Sequence, residues 1–146
     1  MAGHDVLVNV APWTSGDDAE TEEAGAFAVN AVGAANLARA CSAARVQMVH
    51  LSTDYVFDGE ATIPYAEDAP PAPRSAYGRT KAAGEWAVQS LCPQSWRVRP
   101  AWLYGAHGPN SGKTTARLGA EGDNDSAVGD RPREPTGTDR LGAGAA

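Results

Sequence analysis

The heptapeptide DVLVNVA, Asp5–Ala11, is short, β-branched and almost wholly apolar. A strand with apolar residues at consecutive positions reads as buried on both faces, and strands of that kind belong to parallel sheets. A second such run, VQMVHLS, occupies Val46–Ser52. The residues between them read as a helical segment of more than thirty residues. APWTSGDDAETEE enters it with Thr14 or Ser15 as cap and Asp17, Asp18, Glu20, Glu22 and Glu23 at the positive end of the helix dipole. AVGAANLARACSAA, Ala31–Ala44, continues it as an Ala-rich helix with Val32, Ala35, Leu37, Ala38 and Cys41 at near-helical spacing. Strand, long helix and strand predict a right-handed parallel crossover. The expected fold class is therefore α/β.

Working outward, DYVFDGEATIPYAEDAPPAPRS is rich in Pro, Asp and Gly and reads as a long loop, a segment type that often carries function. SAYGRTKAAGEWAV follows and predicts a helix over roughly Ala76–Leu91, after which SWRVRPAWLYG predicts a third strand ending in a loop. From Gly112 onward the last 35 residues hold seven Gly, with Leu118, Val128 and Leu141 as the large aliphatics. That is too little apolar surface to bury a face, so 112–146 reads as a poorly ordered tail.

Composition bounds the function. The chain of 146 residues is 42% apolar, enough for one core, and its formal charge of -6 argues against nucleic acid, because its ten Arg are scattered rather than clustered. No run approaches a membrane span, and MAGHDVLVNV lacks the charged head and apolar core of a signal peptide, so the expected compartment is cytoplasmic and no membrane partner is expected. Cys41 and Cys92 have no metal-ligand spacing and read as buried or idle thiols. His4, His50 and His107 share no ligand spacing either, and the acidic run at 17–23 has a sufficient cause in the helix dipole. No metal site is expected.

The helix over Ala76–Leu91 places Tyr77 and Lys81 at i and i+4, on one face. A free phenol ionises near pH 10, and a neighbouring ammonium is expected to lower that value by favouring phenolate. Such a pair can do acid-base chemistry. The spacing alone does not separate that from a structural pair.

Five blocks add context: VNVAPWTSGDDAE, AVNAVGAANLARAC, VHLSTDYVFDG, PYAEDAPPAPRSAYGRTKAAGEWAV and RVRPAWLYGAHGPN. In this order and spacing they resemble the dTDP-4-dehydrorhamnose reductases, extended short-chain dehydrogenase/reductases, over about residues 5–111. The resemblance implies a partial Rossmann-like parallel sheet with flanking helices. It further implies hydride transfer from NADPH or NADH to the C4 ketone of a nucleotide-linked 4-keto-6-deoxysugar. Tyr77 would donate the proton, Lys81 would tune the phenol and bind the nicotinamide ribose, and Thr53 would assist the tyrosine and contact the sugar. Asp54, Tyr55 and Trp102 match substrate-contacting positions, and Pro12, Trp13 and Thr14 match the loop beside the cofactor. For Trp13, Tyr55 and Trp102 packing is a competing role.

The same resemblance implies missing parts. The family carries a glycine-rich Gly-x-x-Gly-x-x-Gly turn for the pyrophosphate, and this sequence has none. Residues 1–111 then read as the central part of an NAD(P)-binding domain and 112–146 as a degraded tail. The strand at Asp5–Ala11 becomes an apolar edge, liable to pair with a second copy in a homodimer or with another chain. Two readings follow: a reductase, or a non-catalytic remnant or partial binding module, and this chain alone is expected to be inactive, since Tyr77 and Lys81 cannot reduce a ketone without a bound hydride donor. A related nucleotide-sugar epimerase or dehydratase is a weaker third, since STDYVFDG fits the reductases better.

Overall fold

The computed structural model describes residues 3–107, 113 and 136–139. It divides the chain into two units, Met1–Arg99 and Pro100–Ala146.

The first unit is built on three parallel strands, β1 (Val6–Asn9), β2 (Gln47–Leu51) and β3 (Ser95–Val98), in the order β1-β2-β3. The crossover from β1 to β2 comprises α1 (Gly16–Thr21), α2 (Glu23–Phe27), one π-helical turn (Ala28–Gly33) and α3 (Ala34–Ala44). The crossover from β2 to β3 contains a short 3-10 turn (Asp54–Val56) and α4 (Ala76–Leu91). The α/β parallel architecture expected from the two apolar runs is present, and α4 has the expected bounds. Ser75 starts α4, its Oγ accepting the Gly78 N–H at 3.0 Å. Arg45, left-handed at φ 56, ends α3 and turns the chain into β2.

One expectation is corrected. β1 is not buried on both faces. Leu7 and Met48 point into a core of Ala34, Ala38, Cys41, Val46, Val88 and Cys92. The opposite row runs Val8, Val49, Trp96 in register. There Val6, Val8, Val10 and Trp96 are 47, 54, 62 and 67% exposed. The physical reason is that, among the described residues, the helices pack against one face only. β1 is an edge of this sheet, as expected.

The long helical segment also has more structure than periodicity showed. It breaks at Glu22 and gains a residue in the π-helical turn, while Val32, predicted on the inner face, is exposed. Within that turn Asn30 is buried and approaches α4 at Gly84. A Cβ on Gly84 would collide with the Asn30 backbone carbonyl, which cannot step aside as a flexible side chain could. In an open helix Gly→Ala gains about 1 kcal/mol. Gly84→Ala is expected instead to lose about 1–3 kcal/mol, as overpacking does. Urea denaturation checks this. Gly33→Ala, whose Cβ would meet only an ordinary contact with the Ala28 carbonyl, is expected to be neutral or stabilising.

Both cysteines are buried and free, and burial pushes the Cys41 thiol up. In the second unit Tyr104 bridges Gly137 in parallel. The predicted tail, 112–146, lies outside the described residues apart from 113 and 136–139.

Candidate active site

The carboxyl ends of β1 and β2 release the two segments that carry the sequence-predicted residues, and the first turns of α4 lie beside them. The β1 loop is held by Asn30. Its Oδ1 accepts the Trp13 N–H at 2.9 Å, and its Nδ2 donates to Thr80 Oγ1 on α4 at 3.0 Å. Thr80 Oγ1 in turn donates to the Tyr77 carbonyl at 2.9 Å. One buried amide thus couples the loop after β1 to the helix of Tyr77. The Trp13 ring lies over Gly25 and packs with Tyr77 on Ala19, Ala26 and Ala76. Packing, the competing role weighed for Trp13, is therefore present. Pro12 lines a cleft with Asn9, Ala11, Val29, Asn30, His50, Leu51 and Lys81, whereas Thr14 is exposed and does not line it.

After β2, Thr53 opens the 3-10 turn. Its Oγ1 accepts the Tyr55 N–H at 3.2 Å and lies 3.2 Å from Asp54 Oδ1, to which it can donate. The Tyr55 ring meets Tyr77 edge-on, with centroids 5.8 Å apart and planes at 77°. Glycine at 78 permits this approach, because a Cβ there would strike the Tyr55 carbonyl and Pro73. The long loop is anchored further out. Phe57 stacks on Tyr65 at 4.2 Å and lies under the Arg99 guanidinium at 4.9 Å, and Arg99 also donates to the Glu67 carbonyl at 3.4 Å. Arg74 pairs with Glu60.

The electrostatics of the pair depart from the simple expectation. Tyr77 was expected to be lowered by Lys81. Its phenol is instead pushed up, chiefly by burial, with a hydrogen bond from Thr53 opposing and the charges of Asp54 and Tyr55 adding to the rise. Lys81 is not among the groups that shift it, and its Nζ donates to the Leu51 carbonyl at 2.6 Å. Burial brings Lys81 down to about 8, with Glu85 opposing. His50 falls to about 4 through burial and then Lys81, with Glu85 again opposing. It is a neutral ring at pH 7. Its Nδ1 lies 3.0 Å from Asn9 Nδ2, which donates to it, while His50 Nε2 and Ser52 Oγ are buried without a hydrogen-bond partner.

The structure therefore brings Thr53, Asp54, Tyr55, Tyr77, Lys81 and Pro12 to one end of the first unit. Trp102 belongs to the second unit, half exposed and left-handed at φ 44. Sequence reasoning missed Asn30, Thr80, Glu85 and Arg99. Glu85 carried a signal, standing at i+4 from Lys81 and i+8 from Tyr77 on the same stripe. Two acids of the 17–23 run are also tied to α4: Glu20 accepts the Ala76 N–H at 2.8 Å, and Glu23 accepts from two of the three Arg79 guanidinium nitrogens at 2.8 and 2.9 Å.

The fit of a nicotinamide dinucleotide can be judged from these groups. The cleft is lined by Lys81, an ammonium with donors beyond the one on Leu51, and by the unpartnered His50 Nε2, groups of the kind that ribose hydroxyls and a carboxamide bind. They suit the nicotinamide end.

The chain is similar to known proteins in both sequence and fold. A family model described as the RmlD substrate binding domain matches residues 2–146. The chain is 50% identical over 143 residues to a dTDP-4-dehydrorhamnose reductase of Streptomyces griseus, covering 94% of this chain and 47% of that protein. It is 47% identical over 133 residues to a dTDP-4-keto-6-deoxy-D-glucose reductase of Streptomyces niveus, covering 90% of this chain and 46% of that one. The crystal structure of a dTDP-4-dehydrorhamnose reductase from Bacillus anthracis in complex with NADP matches with a TM-score of 0.89 and 39% identity, over 97% of this chain and 50% of that one. The chain thus spans about half the length of the relatives it matches.

Proposed function

The chain belongs to the RmlD substrate binding domain family, and from that premise we propose that Tyr77, Lys81 and Thr53 form the proton-donating side of a ketoreductase site. The reaction is reduction of the C4 ketone of a dTDP-4-keto-6-deoxysugar, of the dTDP-4-dehydrorhamnose type. The observation that carries the reading is the state of Tyr77. Its phenol is buried and stays protonated at neutral pH, and its ring meets edge-on the Tyr55 of the turn that Thr53 opens. A ketone that accepts hydride develops negative charge on oxygen and needs a positioned acid, which is what a buried, protonated phenol provides.

Lys81 and Pro12, the latter on the loop that Asn30 holds, would bind the nicotinamide end of NADPH or NADH, which supplies the hydride when bound. Trp13 fixes the loop they share, and Thr14 stands at its exposed margin. Tyr77 passes its proton to the carbonyl oxygen. Thr53 steadies the phenol and, with Asp54 and Tyr55, faces the sugar. Trp102 is assigned a sugar contact from its sequence position.

Titration of the full chain with NADPH, followed by tryptophan fluorescence, tests the proposal, with consumption of NADPH on adding the keto sugar as the second readout. Saturable binding and turnover are expected. No saturable binding at millimolar cofactor would remove the enzymatic reading of this chain. One observation favours the second reading, a binding module without turnover: the donors named above serve only one end of a dinucleotide. That reading expects sugar-nucleotide binding with no oxidation of NADPH.

The compartment is read as cytoplasmic; among the described residues, no helix is long and apolar enough to cross a membrane. The open edge of β1 supports association with a second copy in a homodimer, or with another chain, through strand pairing.

A further inference from the structure

Glu85 is a buried carboxylate that the proposed reaction does not use. It stands one helical turn beyond Lys81 on α4, and each of the two is 2% exposed. Residues four apart share a helical face, so Lys81 and Glu85 both lie on the buried stripe of α4, one turn apart. Arg99, at the end of β3, grips Glu85 with a fork: Nε lies 2.9 Å from Oε1 and the second terminal nitrogen 2.6 Å from Oε2.

The surroundings of Lys81 can be followed element by element. From α4 come Tyr77 one turn before it and Glu85 one turn after. From β2 comes His50, and from the segment after β2 come Asp54 and Tyr55, whose charges act on Tyr77. From the π-helical turn comes the neutral amide of Asn30. Arg99 binds Glu85 from the end of β3. Of these, Glu85 is the anion whose charge acts on Lys81.

We propose that Glu85 is a positioning residue whose carboxylate, fixed by the Arg99 fork, holds the Lys81 side chain as an ammonium on the Leu51 carbonyl. A buried amine tends to shed its proton, and a neutral Lys81 would lose the charge that a ribose or a developing oxyanion needs. The neighbouring carboxylate opposes that loss. His50 supports the arrangement by staying neutral, so that Arg99 is not joined by a further cation beside Lys81. The inference rests on the reductase reading only for the use made of the ammonium. The charge state itself is measurable without catalysis.

The chain has two lysines, Lys81 and Lys113. Labelling the full-length protein with [13Cε]lysine therefore gives two resonances, assigned by Lys113→Arg. In the wild type, Lys81 is expected to titrate near 8 and to be protonated at pH 7. In Glu85→Gln its proton affinity is expected to fall about tenfold, one pH unit, with Lys113 unmoved. A wild-type Lys81 that is neutral at pH 7 overturns the proposal, and so does a folded Glu85→Gln with an unchanged titration. If Glu85→Gln does not fold, Glu85→Asp decides, because its carboxylate is drawn back by one methylene: a smaller fall supports the proposal and no change overturns it. Should NADPH fail to bind while Lys81 titrates as described, the reductase reading falls and this inference stands.

Discussion

Arg99→Met should lower the unfolding free energy by about 3–5 kcal/mol, the cost of leaving one member of a buried ion pair without its partner. Glu85 is almost wholly buried and its oxygens are taken up by the Arg99 fork. Methionine can fill the stem's volume but leaves that carboxylate uncompensated. The same substitution also releases the long loop, because Arg99 covers Phe57 and caps the Glu67 carbonyl. Whole-domain stabilities are commonly about 5–15 kcal/mol, so the variant would sit close to the folding threshold. Circular dichroism in urea measures the loss. Arg99→Met combined with Glu85→Leu should recover most of it, since replacing both members of a buried pair by apolar groups is often neutral. A single variant with the wild-type midpoint would show that the pair contributes nothing.

Tyr77→Phe should cut turnover by about 10²–10⁴-fold, the usual contribution of a positioned general acid. Phenylalanine keeps the ring edge-on to Tyr55 and the packing on Ala19, Ala26 and Ala76, so the site keeps its shape and loses only the proton. NADPH affinity should therefore change little. Stopped-flow absorbance at the reduced-nicotinamide band, with affinity measured separately by fluorescence, distinguishes the two effects. Unchanged turnover would exclude Tyr77 from the chemistry. The pH profile carries a further sign. Burial raises the phenol's pKa, so Tyr77 remains a proton donor throughout the neutral range. Lys81 loses its proton as pH rises through about 8, so the alkaline fall in rate should begin there and belong to the lysine.

The features legible in sequence are those with a local cause. SAYGRTKAAGEWAV was enough for α4 and its bounds, and the spacing of Tyr77 and Lys81 placed them on one face. Apolar runs separated by a long helix were enough for a parallel sheet. The bare face of β1 was not legible, because Val6 and Val8 are the same residues whether a helix covers them or not. The π-helical turn escaped because a period near 3.6 does not register one inserted residue, and with it went the inward turn of Asn30. Glu85 was visible at helical spacing from Lys81 and went unread; its importance comes from Arg99, fourteen positions away on another element. The direction of the Tyr77 shift was misread for a related reason. Helical spacing gives the face a side chain leaves from, not the carbonyl its tip reaches.

The uncovered row of Val6, Val8, Val10 and Trp96 separates two properties usually improved together. Parallel sheets ordinarily have both faces covered. Among the described residues of this chain, the sticky surface is present in the folded form. Substitutions that raise the melting temperature would hold that surface open more firmly, so solubility would not follow stability. Handling of the protein is governed by the polarity of this one sheet face.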